Sequence, residues 1–216
     1  LIAHANDALS LEQMAAVEAL LQRRISGEPM AYILGQREFY GLDLKTTTAT
    51  LIPRPDTETL VEAALNKIPV NGACSVLDLG TGTGAIALAI AHEASSAQIT
   101  ATDQSIEALE IAKKNAELLN VTSRVQFFQG SWYEAIGANA SFDIILSNPP
   151  YITSQDAHLS HGDLRFEPIS ALTDHSNGLT CLENIISGAK RHLNPNGLLA
   201  VEHGFDQSEA VVVLMK

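Results

Sequence analysis

The sequence is poor in cysteine, and Cys74 and Cys181 are its only two among 216 residues. Two isolated thiols make neither a disulfide framework nor a zinc spacing, so both are read as free thiols of a reducing compartment. It is also poor in basic residues: 13 Lys and Arg stand against 25 Asp and Glu, a net charge of −12. That balance argues against binding by phosphate neutralisation, which needs a Lys/Arg surface. It leaves open a protein partner or a nucleic acid held by a local patch, and it says little about the fold. No apolar run approaches the ~18 residues of a membrane span. No basic segment followed by an apolar one marks a secretion signal. The expectations are a cytoplasmic location and no membrane contact. Internal repeats and low-complexity stretches are absent as well.

What is present suits a globular protein. The chain is 46% hydrophobic, within the roughly 45–50% of ordinary domains. Its length fits one full domain and a small extra unit. It starts at Leu1 and stops at Met215-Lys216 inside an apolar, helix-like run, so it is read as a piece of a longer protein lacking both ends.

Ser10-Leu11-Glu12-Gln13 reads as a capping box, in which the Ser side chain accepts from an orphan amide and the Gln reaches back. Met14, Val17, Leu21 and Ile25 follow at helical spacing and Gly27 can end the run, giving a helix over 11–25. It is assigned to the remnant of an N-terminal helical unit, residues 1–27. Residues 28–50 read as a β-hairpin linker turning near Gly41. Ile52-Pro53-Arg54-Pro55 excludes regular structure, because proline removes donors and restricts its neighbour. Asp56 or Thr57 then caps a helix to about Ile68.

Residues 51–216 read as the main domain, with C-terminal strands missing. Strands are expected at 74–79, 97–102, 124–129, 142–147 and 198–203, and helices at 84–93, 105–119 and 178–193. Near-continuous apolar runs such as Ile144-Ile145-Leu146 suit parallel strands covered on both faces. The alternation predicts a doubly wound, Rossmann-like α/β sheet, whose ligands sit beyond the carboxyl ends of the strands.

Two motifs fall at such ends. Asp78-Leu79-Gly80-Thr81-Gly82-Thr83-Gly84 runs from a strand into a helix. Glycines let the backbone turn and approach a ligand closely, and a helix start offers unpaired amides to an anion. The spacing is Gly-x-Gly-x-Gly, neither the dinucleotide fingerprint nor a Walker loop. Asp103 ends the next strand, where a carboxylate can accept from ribose hydroxyls or, alternatively, cap the helix starting near Ser105. Trp132, the single tryptophan, follows the third strand and either flanks an adenine or packs structurally.

Asn148-Pro149-Pro150-Tyr151 leaves the fourth strand. The prolines stiffen the loop and remove two donors. The Asn148 side-chain oxygen and the Pro149 carbonyl remain as acceptors, and an –NH₂ group has two hydrogens to give. Accepting both draws electron density onto a nitrogen whose lone pair is delocalised and aims it at a methyl group. Tyr151 can lie flat on a planar substrate. Positioning then supplies much of the rate, and no strong general base is needed.

With these residues the chain resembles the peptide chain release factor N5-glutamine methyltransferases. The resemblance includes Gly27-Glu28-Pro29, Ala31-Tyr32-Ile33-Leu34-Gly35, Glu38-Phe39-Tyr40-Gly41 and Leu51 to Glu58. It continues through the Asp78–Gly84 loop, Ser147 to Ile152, Arg165-Phe166-Glu167-Pro168 and Glu202-His203-Gly204. It implies S-adenosylmethionine as methyl donor and the glutamine of a Gly-Gly-Gln tripeptide in a release factor as acceptor. It implies cofactor contacts from Gly80, Thr81, Gly82, Thr83, Gly84, Asp103, Trp132 and Asn148, and glutamine held by Asn148, Pro149, Pro150 and Tyr151. A monomer is expected, with no direct nucleic-acid contact.

The loop is also similar to that of enzymes methylating the exocyclic amines of adenine or cytosine in nucleic acids. That alternative requires a flipped base and a basic docking surface, which the acidic charge disfavours. A cofactor-binding module without activity is the third reading, and intact Asn148 and Tyr151 count against it. Arg54 and Glu167 are read either as supports beside the site or as loop braces. Asp156, His158, His161 and Asp163 have metal-ligand chemistry, but a loop is expected there, and no metal is expected.

Overall fold

A computed structural model describes residues 8–70 and 72–216; the expected N-terminal helical unit is therefore seen without residues 1–7. Helix α1 (Leu11–Ile25) begins as the capping box predicts: the Ser10 side chain accepts the Gln13 N–H at 3.1 Å and the Gln13 side chain accepts the Ser10 N–H at 2.9 Å. None of its residues is buried, so Met14, Val17, Leu21 and Ile25 are exposed among the described residues. Its end is tied down by Arg165, whose guanidinium donates to the Ser26 carbonyl at 2.8 Å.

The linker is more than a hairpin. A short helix α2 (Met30–Leu34) precedes strands β1 (Gln36–Phe39) and β2 (Leu42–Lys45). Five residues are too few for helical periodicity to register in sequence. Gly35 ends the helix at φ 73°, a conformation only glycine adopts readily. Tyr32 is 6% exposed and its hydroxyl donates to the Thr50 carbonyl, which closes the linker on itself.

A 3₁₀ turn over Pro55–Thr57 leads into α3 (Glu58–Lys67). The main sheet follows as β3 (Cys74–Leu79), α4 (Ala85–Glu93), β4 (Ala97–Asp103), α5 (Ile106–Leu118), β5 (Val125–Gln129) and β6 (Phe142–Ser147). It is completed by α6 (Thr180–His192), β7 (Leu193–Val201) and α7 (Ser208–Leu214). All five strands are parallel, in the order β5-β4-β3-β6-β7. The chain moves outward from β3 in one direction, then returns to β3's other side with β6. The switch point lies between β3 and β6, where Leu79 stands beside Ser147.

Alternate residues of the central strands feed two cores. Val76, Ile144 and Leu146 pack with α3, α4 and the hairpin residues Phe39 and Leu44. Leu77, Leu79 and Ile145 pack with Ile185 and Ala189 of α6 on the opposite face. Each fully buried Leu or Ile contributes roughly 1.5–3 kcal/mol relative to exposure. The last strand starts earlier than expected, at Leu193 rather than 198, because Leu193 pairs with Phe142 and Asn194 donates to the Asp143 carboxylate at 2.8 Å. It also ends earlier, at Val201, which leaves Glu202 just beyond its carboxyl end.

Candidate active site

A cleft of about 970 Å³, the open solvent at its mouth included, sits over the carboxyl ends of β3, β4 and β6. Gly80, Thr81, Gly82, Thr83, Asp103, Trp132, Asn148 and Pro150 all line it. The fold thus brings together the loop after β3, the carboxylate after β4, the tryptophan after β5 and the Asn-Pro-Pro-Tyr segment after β6. Gly84, Pro149 and Tyr151 are not among the lining residues.

The glycines divide the work. Gly82, at φ 57°, has nothing within 4 Å of where a Cβ would stand, so a side chain there would project into open space. Gly84, at φ 85°, has the Leu88 side chain 2.8 Å and the Ala112 Cβ 3.3 Å from that position. Its lack of a side chain lets α4 pack against α5. Four of the loop's amides are bonded within the protein. Gly80 and Thr81 both donate to the Thr102 carbonyl at 2.9 Å, Gly82 donates to Asp103 at 2.9 Å, and Gly84 donates to Thr81 at 2.8 Å. What those four positions offer a ligand is close approach.

Asp103 uses one carboxylate oxygen on the Gly82 N–H and the other on the Ser105 N–H, each at 2.9 Å. The N-cap of α5 is Ser105, whose hydroxyl accepts the Ala108 N–H at 3.0 Å. Asp103 is thus freed from that role, and each of its oxygens keeps lone pairs for the cleft. Burial pushes its pKa up. Below the loop, Asp78 is completely buried and accepts the Thr81 hydroxyl at 2.6 Å, and burial pushes its pKa up to about 6. The Trp132 ring edge lies 3.4 Å from the Cβ position of Gly80, and the residue lines the cleft.

At the end of β6, the Asn148 side-chain amide donates to the Thr57 hydroxyl at 2.9 Å. Thr57 donates to Glu202 at 2.6 Å, and the Tyr151 hydroxyl donates to the other Glu202 oxygen at 3.0 Å. Burial, then the Glu202 charge, pushes the Tyr151 phenol above its usual range. Gln207 holds the backbone behind, donating to the carbonyls of Tyr151 at 3.0 Å and Gly178 at 3.2 Å. Thr57, Glu202 and Gln207 were missed as site residues in sequence. Glu202 fell inside the strand expected at 198–203, and only the observed end of β7 at Val201 places it after the strand, as Asn148 follows the fourth.

Glu167 is buried and accepts the Ile52 N–H at 2.9 Å and an ion pair from Arg54. Arg54 itself lines the cleft, so the pair braces the cleft wall. Asp156 pairs locally with His158, and His161 turns to the Ala157 carbonyl. Among the described residues no three such side chains converge as a metal site. Asn115 of α5 is fully buried; its amide donates to the carbonyls of Lys45 at 3.1 Å and Thr83 at 2.9 Å, and its oxygen accepts the Lys45 N–H at 2.8 Å. It joins hairpin to Gly-rich loop.

Residues 56–163 match the family described as Methyltransferase small domain, and residues 1–35 match the PrmC N-terminal domain. A release factor glutamine methyltransferase of Bordetella pertussis is 50% identical over the whole chain and 79% of its own length. That of Aliivibrio fischeri is 52% identical over 93% of this chain and 70% of its own. Among solved structures, a methyltransferase from Pyrococcus furiosus is 22% identical at a TM-score of 0.58, covering 91% of this chain and 84% of its own. An SAM-dependent methyltransferase from Agrobacterium tumefaciens is 20% identical at 0.59, covering 83% and 56%. At those identities the two structures speak for the fold.

Proposed function

The chain belongs to the release factor glutamine methyltransferases and methylates release-factor glutamine with S-adenosylmethionine as donor, and we propose that the cleft over β3, β4 and β6 is where it does so, with Asn148 holding the glutamine. The single observation that carries this reading is the placement of Asn148, at the end of β6, directly across the switch point from the Gly-rich loop at the end of β3.

S-adenosylmethionine fits the residues present. It has no phosphate, and the loop amides at Gly80, Thr81, Gly82 and Gly84 are already bonded within the protein. Its ribose hydroxyls are donors that the free lone pairs of Asp103 can accept. Gly82 leaves room for its approach, and Trp132 supplies an apolar wall for a ring. When bound, the cofactor supplies an electrophilic methyl group on a sulfonium.

The chain's own residues supply position. The acceptor is the side-chain nitrogen of the glutamine in a Gly-Gly-Gln tripeptide. The Asn148 side-chain oxygen and the Pro149 carbonyl accept its two N–H bonds, which concentrates electron density on nitrogen and fixes its direction. Tyr151, held by Glu202 through its hydroxyl and by Gln207 through its carbonyl, flanks the amide plane. Arg54 and Glu167 keep the wall of the cleft in place.

The motif alone left a base amine open as substrate; family membership decides for glutamine. We divide the chain into an N-terminal substrate-binding unit at 1–27, a linker at 28–50 and the methyltransferase domain at 51–216. The encounter with a release factor implies a cytoplasmic enzyme, which we read as a monomer without direct nucleic-acid contact. No helix among the described residues is long and apolar enough to cross a membrane.

The test is mass spectrometry of a purified release factor after incubation with enzyme and S-adenosylmethionine. One added methyl group on the glutamine-containing peptide is expected. Asn148→Ala should slow its appearance by about 10²–10³-fold, the usual loss for one preorganised polar group. A normal rate would remove Asn148 from the reaction.

A further inference from the structure

The side-chain amide of Asn148 can face the cleft in two ways that have almost the same shape. One presents the oxygen, which accepts from a glutamine –NH₂. The other presents an –NH₂ of its own, which opposes it donor to donor. Nothing in the Asn-Pro-Pro-Tyr segment itself chooses between them.

A three-residue relay makes the choice. Glu202 is a carboxylate and only accepts. One of its oxygens takes the Thr57 hydroxyl proton at 2.6 Å, and the other takes the Tyr151 hydroxyl proton at 3.0 Å. The single Thr57 proton is therefore committed, and its oxygen has only lone pairs to offer Asn148. The group 2.9 Å away must be the Asn148 –NH₂, which leaves Oδ1 for the cleft that Asn148 lines. Thr57 is 5% exposed, so water does not compete freely for these positions. The relay is built from distant parts of the chain. Thr57 closes the 3₁₀ turn after the Pro53-Arg54-Pro55 segment. The Glu202 N–H donates to the Ser147 carbonyl at 3.0 Å, which sets Glu202 beside the end of β6.

We propose that Glu202, acting through Thr57, is the positioning device that sets the Asn148 side-chain amide with its oxygen toward the substrate, and that its second oxygen locks Tyr151 in the same arrangement. The inference rests on the reading of Asn148 as the glutamine clamp. Thr57 and Glu202 do not themselves touch the reacting atoms.

The experiment compares Glu202→Gln, Thr57→Val, Thr57→Ser, Asn148→Ala and the double variant Asn148→Ala/Glu202→Gln. It measures kcat and KM with purified release factor and the S-adenosylmethionine Kd by calorimetry. Glutamine at 202 keeps the shape but can donate to Thr57, whose proton is then released toward Asn148 and turns the side-chain amide round. Glu202→Gln and Thr57→Val are expected to lower kcat by about 10–100-fold, part of what loss of one preorganised group costs, while cofactor Kd stays within about twofold. Thr57→Ser should recover most of the kcat. Once Asn148 is alanine, Glu202→Gln should add only the smaller loss that comes through Tyr151, well short of its loss as a single variant, because residues acting as a unit are not additive. A slow Asn148→Ala with normal Glu202→Gln and Thr57→Val, or additive losses in the double variant, overturns the relay and leaves the clamp standing. Loss of folding or cofactor affinity in step with kcat in both single variants makes the pair merely structural and also overturns it. A normal rate for Asn148→Ala overturns the clamp and the relay together.

Discussion

Asp103 accepts the backbone N–H of Gly82 at 2.9 Å, so the carboxylate after β4 and the Gly-rich loop after β3 are one unit. Asp103→Ala removes both the brace and the acceptor for ribose hydroxyls. Hydrogen bonds to a charged group contribute about 1.5–3 kcal/mol, so cofactor affinity should fall by about 10–100-fold. Calorimetric titration with S-adenosylmethionine reads this directly. Unchanged affinity would confine Asp103 to its bond with the loop.

Gly82 and Gly84 should respond differently to alanine. Gly84→Ala forces a Cβ against Leu88 at 2.8 Å and adds a left-handed backbone at φ 85°. The left-handed term alone costs roughly 1–2 kcal/mol, and the clash adds to it, so the unfolding midpoint should drop clearly. At Gly82, φ 57° carries the same backbone strain but no clash, and the methyl points into the cleft. There the larger effect should be on cofactor affinity. Equal behaviour in denaturation and titration would refute this division.

Asn115→Leu strands three backbone groups: the Lys45 N–H and C=O and the Thr83 carbonyl. Each unsatisfied buried group costs about 1–3 kcal/mol, with partial relief from rearrangement. A loss on the order of 2–4 kcal/mol in urea unfolding is expected. Asn115→Asp should also be poor, since a carboxylate has no proton for either carbonyl.

Asp78 makes stability depend on pH. Its folded pKa, about 6, lies above the ordinary 3.8 because burial penalises the charge. Between those values the folded state holds the proton that the unfolded state has released, so this group's contribution to stability falls as pH rises. The loss begins near pH 3.8 and is complete above about 6. Asp78→Asn has no proton to lose. Its stability relative to the native protein, measured by denaturation from pH 4 to 7, should therefore improve as pH rises. A flat difference would show that Asp78 does not titrate in that window.

Legibility varied with the range of the interaction that made each feature. The capping box of α1 was readable because Ser10 and Gln13 satisfy each other within one turn. The short helix α2 was not, because its five residues are held by the Tyr32 hydroxyl reaching Thr50. The role of Asp103 stayed ambiguous until Ser105 was seen to take the cap. Its neighbour across the loop, Gly82, lies 21 residues away. The Gly-rich loop was found, but the spending of its amides on Thr102 and Asp103 was invisible, since those partners belong to the adjacent strand.

The order of strands and helices, the Gly-rich turn, the carboxylate after β4 and the Asn-Pro-Pro-Tyr loop belong to the sequence by itself. Hydrophobic period, turn chemistry and backbone restriction act over a few residues and need no tertiary partner. Which way Asn148 faces was decided only by the tertiary structure. That depends on Thr57, 91 residues before it, and on Glu202, 145 residues after Thr57, meeting at one end of the sheet. Hydrogen-bond direction passes along a chain of contacts, and those contacts exist only once β6 and β7 are paired and the turn ending at Thr57 stands beside them.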